Sequence, residues 1–240
     1  ADLAKKPGSP GPAVPPQLYR APTLSFDREA VRKAARALLR ARRPAILAGH
    51  GVTLSGAFEE LRRLAEKLAI PVATSPKAKG CFPEDHVLSL GVLGFAGSPQ
   101  AKAYFTSGDV DVLVVVGSGL GEQVTNAWDP RLHPSEALIQ IDVDCEQIGR
   151  NYPTATGIVG DARSALNEIC HQLGREAAVC ETAVPTDSRL AQLKIFKAAH
   201  PRMTHPEALD DLSLPLKPPR VMKELQEALP ARRPYRIRFR

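Results

Sequence analysis

The sequence predicts an α/β protein with a doubly wound, mostly parallel sheet of about five or six strands, Rossmann-like in class, followed by C-terminal helices. From residue 27 to residue 173, short apolar runs alternate with amphipathic segments of helical period. The run 110–116 is rich in β-branched residues on both faces, which is typical of a parallel strand covered by helices on both sides. Glycine or a polar residue follows most of these runs, where such folds bind their ligands.

The first half of the predicted domain begins with a helix. Apolar residues recur at helical spacing from Asp27 to Arg42, and Ser25 or Asp27 can cap the helix. A buried strand is predicted at 45–49. A second helix is predicted from Ser55 to Ala69, with Phe58 on its inward face, and a strand at 71–75 follows, since proline disfavours further helix.

The second half continues the alternation. The pattern predicts a helix at 98–107, followed by the strand at 110–116. Shorter strands are predicted at 137–141 and 157–160, and a helix at 161–173 completes the domain. Right-handed crossovers between parallel strands are expected throughout.

Two further helices are predicted beyond the domain, at 186–200 and 218–229, joined by proline-rich turns. They contain too little apolar surface to form a second core.

Composition excludes several classes of function. Most of the net charge of +6 comes from the last ten residues, which hold five arginines and no acid, and aromatic residues are only 5%, so no nucleic-acid partner is expected. No apolar run reaches the roughly 20 residues of a membrane span, and no signal peptide is visible, so no membrane partner and a cytoplasmic location are expected. The cysteines show no CxxC spacing and are expected to be free thiols; they are Cys81, Cys145, Cys170 and Cys180.

The candidate ligand-binding residues follow the predicted strands, because loops there lead into helix N-termini that favour anions. They are Gly49, His50, Gly51, Ser75, Gly80, Gly117, Ser118, Gly119, Gly121, Asp142 and Asp161. Alternatives remain open: the glycines can serve only tight turns, Asp142 and Asp144 can cap a turn rather than bind a ribose, and His50 can be an ordinary surface residue. No catalytic set and no metal site is predicted.

The strand-end motifs, in their order, resemble the central domain of thiamine-diphosphate-dependent enzymes of the acetolactate synthase type. The matching stretches are RRPAILAGHGVTLSGAFEELRRLAEKLAIPVATSPKAKGCFPEDHVLSLGVLGFAG, DVDVLVVVGSGLGEQVT, LIQIDVDCEQIGRN and GIVGDAR. They cover about 42–170, and the ordered set is specific.

The resemblance implies a domain plan in which the flanking catalytic domains are missing. It implies a proline-rich interdomain linker at 1–26, the Rossmann-like central domain at 27–173 and a helical connector at 174–215. Residues 216–230 are similar to the start of a pyrophosphate-binding domain, which we expect to be truncated. The segment 231–240 is expected to be a disordered basic tail.

The resemblance also implies thiamine diphosphate and Mg²⁺ as cofactors of the full-length family. The family's catalytic glutamate is absent, and neither Gly108-Asp109 nor Gly160-Asp161 is followed by the second glycine of the metal-binding motif. We therefore expect this chain alone to bind neither cofactor and to be inactive as an enzyme. Its expected partners are the missing domains of the same enzyme or further copies of the chain.

Flavin-containing members of the family place the adenine nucleotide part of FAD on the central domain. Carried over, the site comprises Gly49, Gly51, the 75–80 loop, Gly91–Gly97, Gly117–Gly121, Asp142 and Asp161. Those members carry arginines after the strand that corresponds to 110–116, whereas this chain has Gly117–Gln123 there, without a cation. The missing cations disfavour FAD and leave ADP, or no ligand. The alternative interpretation is a free-standing Rossmann-like nucleotide-binding protein.

Overall fold

The computed structural model describes residues 26–178 and 184–228. Within them, one six-stranded parallel sheet has the strand order β3-β2-β1-β4-β5-β6, which confirms the predicted fold class. The strands are β1 (Ala45–Ala48), β2 (Val72–Thr74), β3 (Ser89–Val92), β4 (Val112–Val116), β5 (Ala137–Asp142) and β6 (Thr156–Val159). The helices are α1 (Arg28–Arg40), α2 (His50–Ser55), α3 (Phe58–Leu68), α4 (Pro99–Phe105), α5 (Glu122–Thr125), α6 (Ala162–Glu176), α7 (Thr186–Ala199) and α8 (Pro218–Ala228).

The predicted elements of the domain are present, but β3, α2 and α5 were not predicted. β3 was not predicted, because Ser89 and Gly91 interrupt its apolar pattern and it lies at the edge of the sheet. The helix predicted from Ser55 to Ala69 corresponds to α3; α2 precedes it and is separated from it at Gly56, which adopts the left-handed conformation with φ 65°.

The core lies on both faces of the sheet. All five residues of β4 are buried, as expected for a strand covered by helices on both sides. The inward faces predicted for α1 and α6 are buried, but Phe58 was placed wrongly, since its side chain is 42% exposed. Phe58 is the first residue of α3, and its side chain lies outside the buried face of the helix. The later apolar residues of α3 form that buried face.

The helix α7 packs on this same core. Leu193 is 4% exposed and Arg189 is 5% exposed, and Phe196 packs against the buried cluster. By contrast, α8 buries none of its residues. The segments 1–25, 179–183 and 229–240, which include most of the predicted linker, Cys180 and the basic tail, lie outside the described residues.

We expect the packing of α7 to be measurable in truncated chains. A chain ending at residue 178 should melt about 5 °C or more below one ending at residue 200, because it loses the buried side chain of Leu193. A chain ending at residue 200 should melt close to the 240-residue chain, since α8 buries no residue. Equal melting temperatures for the chains ending at 178 and 200, measured by circular dichroism, would contradict the packing of α7.

None of the helices in the described parts of the chain is long and apolar enough to cross a membrane.

Candidate functional site

A pocket of about 340 Å³, called here the switch-point pocket, lies at the carboxyl edge of the sheet. β1 and β4 are neighbours in the sheet, but the chain leaves them toward opposite halves, so the loops that follow them diverge and leave a crevice. The lining residues are His50, Ser75, Pro76, Lys77, Gly117, Ser118, Gly119, Gly121, Glu122, Gln123 and Val124.

The back of this pocket is built by glycines in backbone contact. The amide of Gly49 donates to the carbonyl of Val116 at 2.7 Å, and the amide of Gly51 donates to the carbonyl of Gly117 at 3.0 Å. A Cβ atom at Gly49 would lie 2.2 Å from the carbonyl oxygen of Gly117, and one at Gly117 would lie 2.5 Å from the Cα of Gly51. These three glycines therefore hold the two loops together, and Gly117 is additionally required by its φ of 61°.

The loop 117–121 is held by side chains from β5 and the segment behind it. Gln140 is 1% exposed, and its Nε2 donates to the carbonyl of Ser118 at 3.2 Å and to that of Gln147 at 2.8 Å. Asn151 Nδ2 donates to the carbonyl of Gly119 at 2.7 Å. These contacts occupy carbonyl oxygens of the loop and fix its conformation.

The amides of the same loop are left available. Leu120 N donates to Ser118 Oγ at 3.3 Å, but the amides of Gly119 and Gly121 donate to no acceptor among the residues that the structure describes. Successive glycine amides at a strand end are ready donors for an anion or for the polar edge of a ring.

The lining of the pocket includes one basic and one acidic side chain. Lys77 is the cation among the lining residues, and Glu122 is the acid. The imidazole of His50 lies beside Lys77, with Nδ1 3.2 Å from the Lys77 carbonyl oxygen. A pocket with one cation and one acid attracts a polyanion only weakly through its side chains, so the backbone amides are its main donors to a phosphate group.

Six of the eleven predicted ligand-binding residues line the pocket, and five do not. The six are His50, Ser75, Gly117, Ser118, Gly119 and Gly121. Gly49 and Gly51 stand behind it, in contact with Gly117. Gly80 has φ 91° and lies beyond Lys77, outside the lining.

The two predicted aspartates also lie outside the lining. Asp142 accepts the amide of Asp144 at 3.1 Å, while Asp161 caps α6 by accepting the amide of Ser164 at 3.0 Å. Burial is the main cause that raises the pKa of Asp142. Asp161 follows β6, which is two strands away from β4.

Gln140 and Asn151 were not predicted from the sequence to support the loop. Gln140 carried a usable signal, because a glutamine between Ile139 and Ile141 in an apolar strand must find hydrogen-bond partners when it is buried. Asn151 lies in a loop and carried none.

The described residues contain no group of three or more histidine, cysteine, aspartate or glutamate residues that could hold a metal ion. Two of the described thiols are poorly nucleophilic, because burial raises the pKa of Cys81 to about 12 and also raises the pKa of Cys170.

Comparison with known proteins gives a consistent result. Residues 31–169 match the family described as thiamine pyrophosphate enzyme, central domain. A probable acetolactate synthase large subunit of Methanocaldococcus jannaschii is 41% identical over 201 residues, which are 83% of this chain and 32% of that protein. A probable acetolactate synthase large subunit of Methanococcus aeolicus is 35% identical over 219 residues, 88% of this chain and 34% of that protein.

A relative that is named for a different activity is also similar to this chain. The probable 2-ketoarginine decarboxylase AruI of Pseudomonas aeruginosa is 35% identical over 173 residues, 72% of this chain and 29% of that protein. The chain thus spans about a third of the length of the curated relatives that it matches.

Proposed function

Because the chain belongs to the thiamine pyrophosphate enzyme central-domain family, we propose that it serves as the non-catalytic central domain of an acetolactate synthase-like decarboxylase or carboligase, and that its switch-point pocket binds an adenine nucleotide. The observation that carries the first part is the match over residues 31–169. The second part rests on the geometry of the pocket.

The shape and donors of the pocket support a nucleotide of modest size. Its volume of about 340 Å³ is near the lower end of the range of about 300–1,000 Å³ that small-ligand pockets span. The free amides of Gly119 and Gly121 can donate to a ring nitrogen or a phosphate oxygen, and the ring of His50 gives a planar face. The volume favours ADP over FAD, because FAD carries the same two phosphate groups and adds a flavin to the ligand.

Thiamine diphosphate itself does not fit the described residues. Its diphosphate is held through Mg²⁺, which prefers carboxylate oxygens, and the described residues bring no set of acids together that could hold the ion. The thiamine diphosphate site of such an enzyme is therefore proposed to lie in domains other than this one.

Exposed apolar residues at the carboxyl edge of the sheet support contact with further domains. Four large hydrophobic side chains are exposed in the segments that follow β1, β3, β4 and β5. They are Leu54 at 76%, Phe95 at 75%, Trp128 at 48% and Val143 at 59%. Side chains of this size on one edge are typical of a surface that another domain covers.

We also propose the division of the chain into a central domain at 27–173, a connector at 174–215 and the start of a pyrophosphate-binding domain at 216–230. The helix α8 supports the last boundary, because it buries none of its residues on the sheet and exposes Val221, Met222 and Leu225. An apolar helix face of this kind requires a partner surface.

Isothermal titration calorimetry tests the proposal with three ligands: ADP, FAD, and thiamine diphosphate with Mg²⁺. We expect ADP to bind more tightly than FAD, and thiamine diphosphate to give no heat. Gly121→Val should weaken ADP at least about tenfold, since the open space beside Gly121 would be filled without strain.

Gly174→Val is the matched control, because Gly174 is exposed on α6, where its nearest neighbour is the end of the Lys67 side chain at 3.9 Å. This variant should bind ADP as the parent chain does. Micromolar binding of thiamine diphosphate would overturn the non-catalytic assignment, and no detectable binding of ADP would overturn the nucleotide assignment.

A further inference from the structure

A second cavity, of about 400 Å³, opens at the amino-terminal edge of the sheet, the edge opposite to the switch-point pocket. Arg42–Pro44 lead into β1, Ala69–Pro71 lead into β2, and α7 closes the cavity from outside. The walls come from separate parts of the chain, so no local sequence pattern indicated it. This site is independent of the proposed nucleotide site.

One wall of this cavity is aromatic. The rings of Tyr104 and Phe196 meet edge to face, with centroids 5.0 Å apart and an angle of 88° between their planes. The imidazole of His200 stacks on Phe196 at 4.2 Å. Leu193 contributes an aliphatic surface beside them. Tyr104 is 5% exposed, so the surface that a ligand can reach on this wall is that of Leu193, Phe196 and His200.

Three arginines border this apolar wall. The guanidinium carbon of Arg43 lies 4.9 Å from the centroid of the Tyr104 ring and 5.7 Å from that of Phe196. Arg42 and Arg189 also line the cavity.

Arg189 differs from the other two arginines because its side chain is buried. It is 5% exposed, and it donates from Nη1 to the carbonyl of Leu68 at 2.7 Å and from Nη2 to the carbonyl of Ala41. Its Nε is buried and has no hydrogen-bond partner among the described residues. A buried guanidinium with an unused donor is costly unless an acceptor reaches it.

Two acids lie close to these arginines. Asp109 accepts a hydrogen bond from Arg43 Nη1 at 2.8 Å. Asp111 is 6% exposed and accepts from the backbone amides of Arg42, Arg43 and Val112. Three guanidinium groups against two carboxylates leave one positive charge in excess at the cavity.

Hydrogen bonds hold the walls of the cavity in place. Gln100 Nε2 donates to the carbonyl of His200 at 2.6 Å, which fixes the end of α7, while the bonds of Arg189 fix its beginning. A rigid wall lowers the entropic cost of binding.

We propose that this cavity binds a small organic monoanion with a flat apolar body, an aromatic monocarboxylate. The carboxylate pairs with Arg43 and the Nε of Arg189, and the apolar ring packs against Leu193 and Phe196. One excess charge matches a monoanion rather than a polyphosphate, and guanidinium groups exclude a metal cation.

Calorimetric titration of the 240-residue chain with naphthoate tests this proposal, with naphthamide as the uncharged ligand of the same shape. We expect one saturable site for naphthoate, with naphthamide weaker by about tenfold or more. Arg43→Gln should weaken naphthoate by about tenfold, and Arg42→Gln should weaken it less, because Arg42 is exposed.

Lys194→Gln is the matched control, since Lys194 is exposed on the same α7 and does not line the cavity. It should bind naphthoate as the parent chain does, and so should Gly121→Val in the switch-point pocket. Equal affinity of Arg43→Gln and the parent chain for naphthoate, with both melting cooperatively, would overturn the proposal, as would the absence of any naphthoate binding.

Discussion

Val115→Asp is expected to unfold the domain. Val115 is fully buried in β4, where it pairs with Leu47 of β1 and Gln140 of β5, so no rotation of the strand brings its side chain to water. An unpaired carboxylate at this place should lower the free energy of unfolding by more than about 5 kcal/mol, a large part of the 5–15 kcal/mol or so that stabilises a typical domain. Thermal denaturation followed by circular dichroism measures the loss.

Val87→Asp provides the matched control for this substitution. Val87 is 58% exposed in the loop before β3, so the same change of side chain should alter the free energy of unfolding by no more than about 0.5 kcal/mol. A soluble Val115→Asp chain with a cooperative transition near that of the parent would contradict the placement of β4 at the centre of the sheet.

Gly117→Val is expected to destroy the switch-point pocket. The residue has φ 61°, which a β-branched side chain does not tolerate, and its Cβ would lie 2.5 Å from the Cα of Gly51. Both effects act on backbone that cannot move without separating β1 from β4, so the free energy of unfolding should fall by about 4 kcal/mol or more. Denaturation with urea measures the change.

Gly121→Val tests the same substitution four residues along the same loop. Gly121 has φ −71° and no atom within 4 Å of a Cβ, so this variant should remain within about 1 kcal/mol of the parent chain. If Gly117→Val proved as stable as Gly121→Val, the close approach of the two glycine loops would be wrong.

The sequence allowed the sheet to be predicted because its central strands are unambiguous. β4 and β1 are apolar at every position and entirely buried. This run of apolar residues can be recognised from the sequence without tertiary information. β3 could not be predicted, since Ser89 and Gly91 break its pattern and its pairing partner β2 decides its conformation.

The candidate site was predictable in place but not in detail. Strand ends indicated the loops that line the switch-point pocket, because ligands of parallel sheets bind at that edge. The sequence did not show which glycines line the pocket and which pack behind it. That difference depends on Gly49 and Gly51 packing against Gly117, a contact between segments more than 60 residues apart. The separation of Asp161 from the pocket follows from the strand order, which no local pattern shows.

Amide chemical-shift mapping of the isotope-labelled chain tests the central claim most directly, because it reports both whether a nucleotide binds and where. With ADP, we expect shifts concentrated at His50–Gly51, Ser75–Lys77 and Gly117–Val124, and with thiamine diphosphate and Mg²⁺ we expect none. Shifts induced by thiamine diphosphate, or ADP-induced shifts confined to segments away from the carboxyl ends of β1 and β4, would contradict that claim.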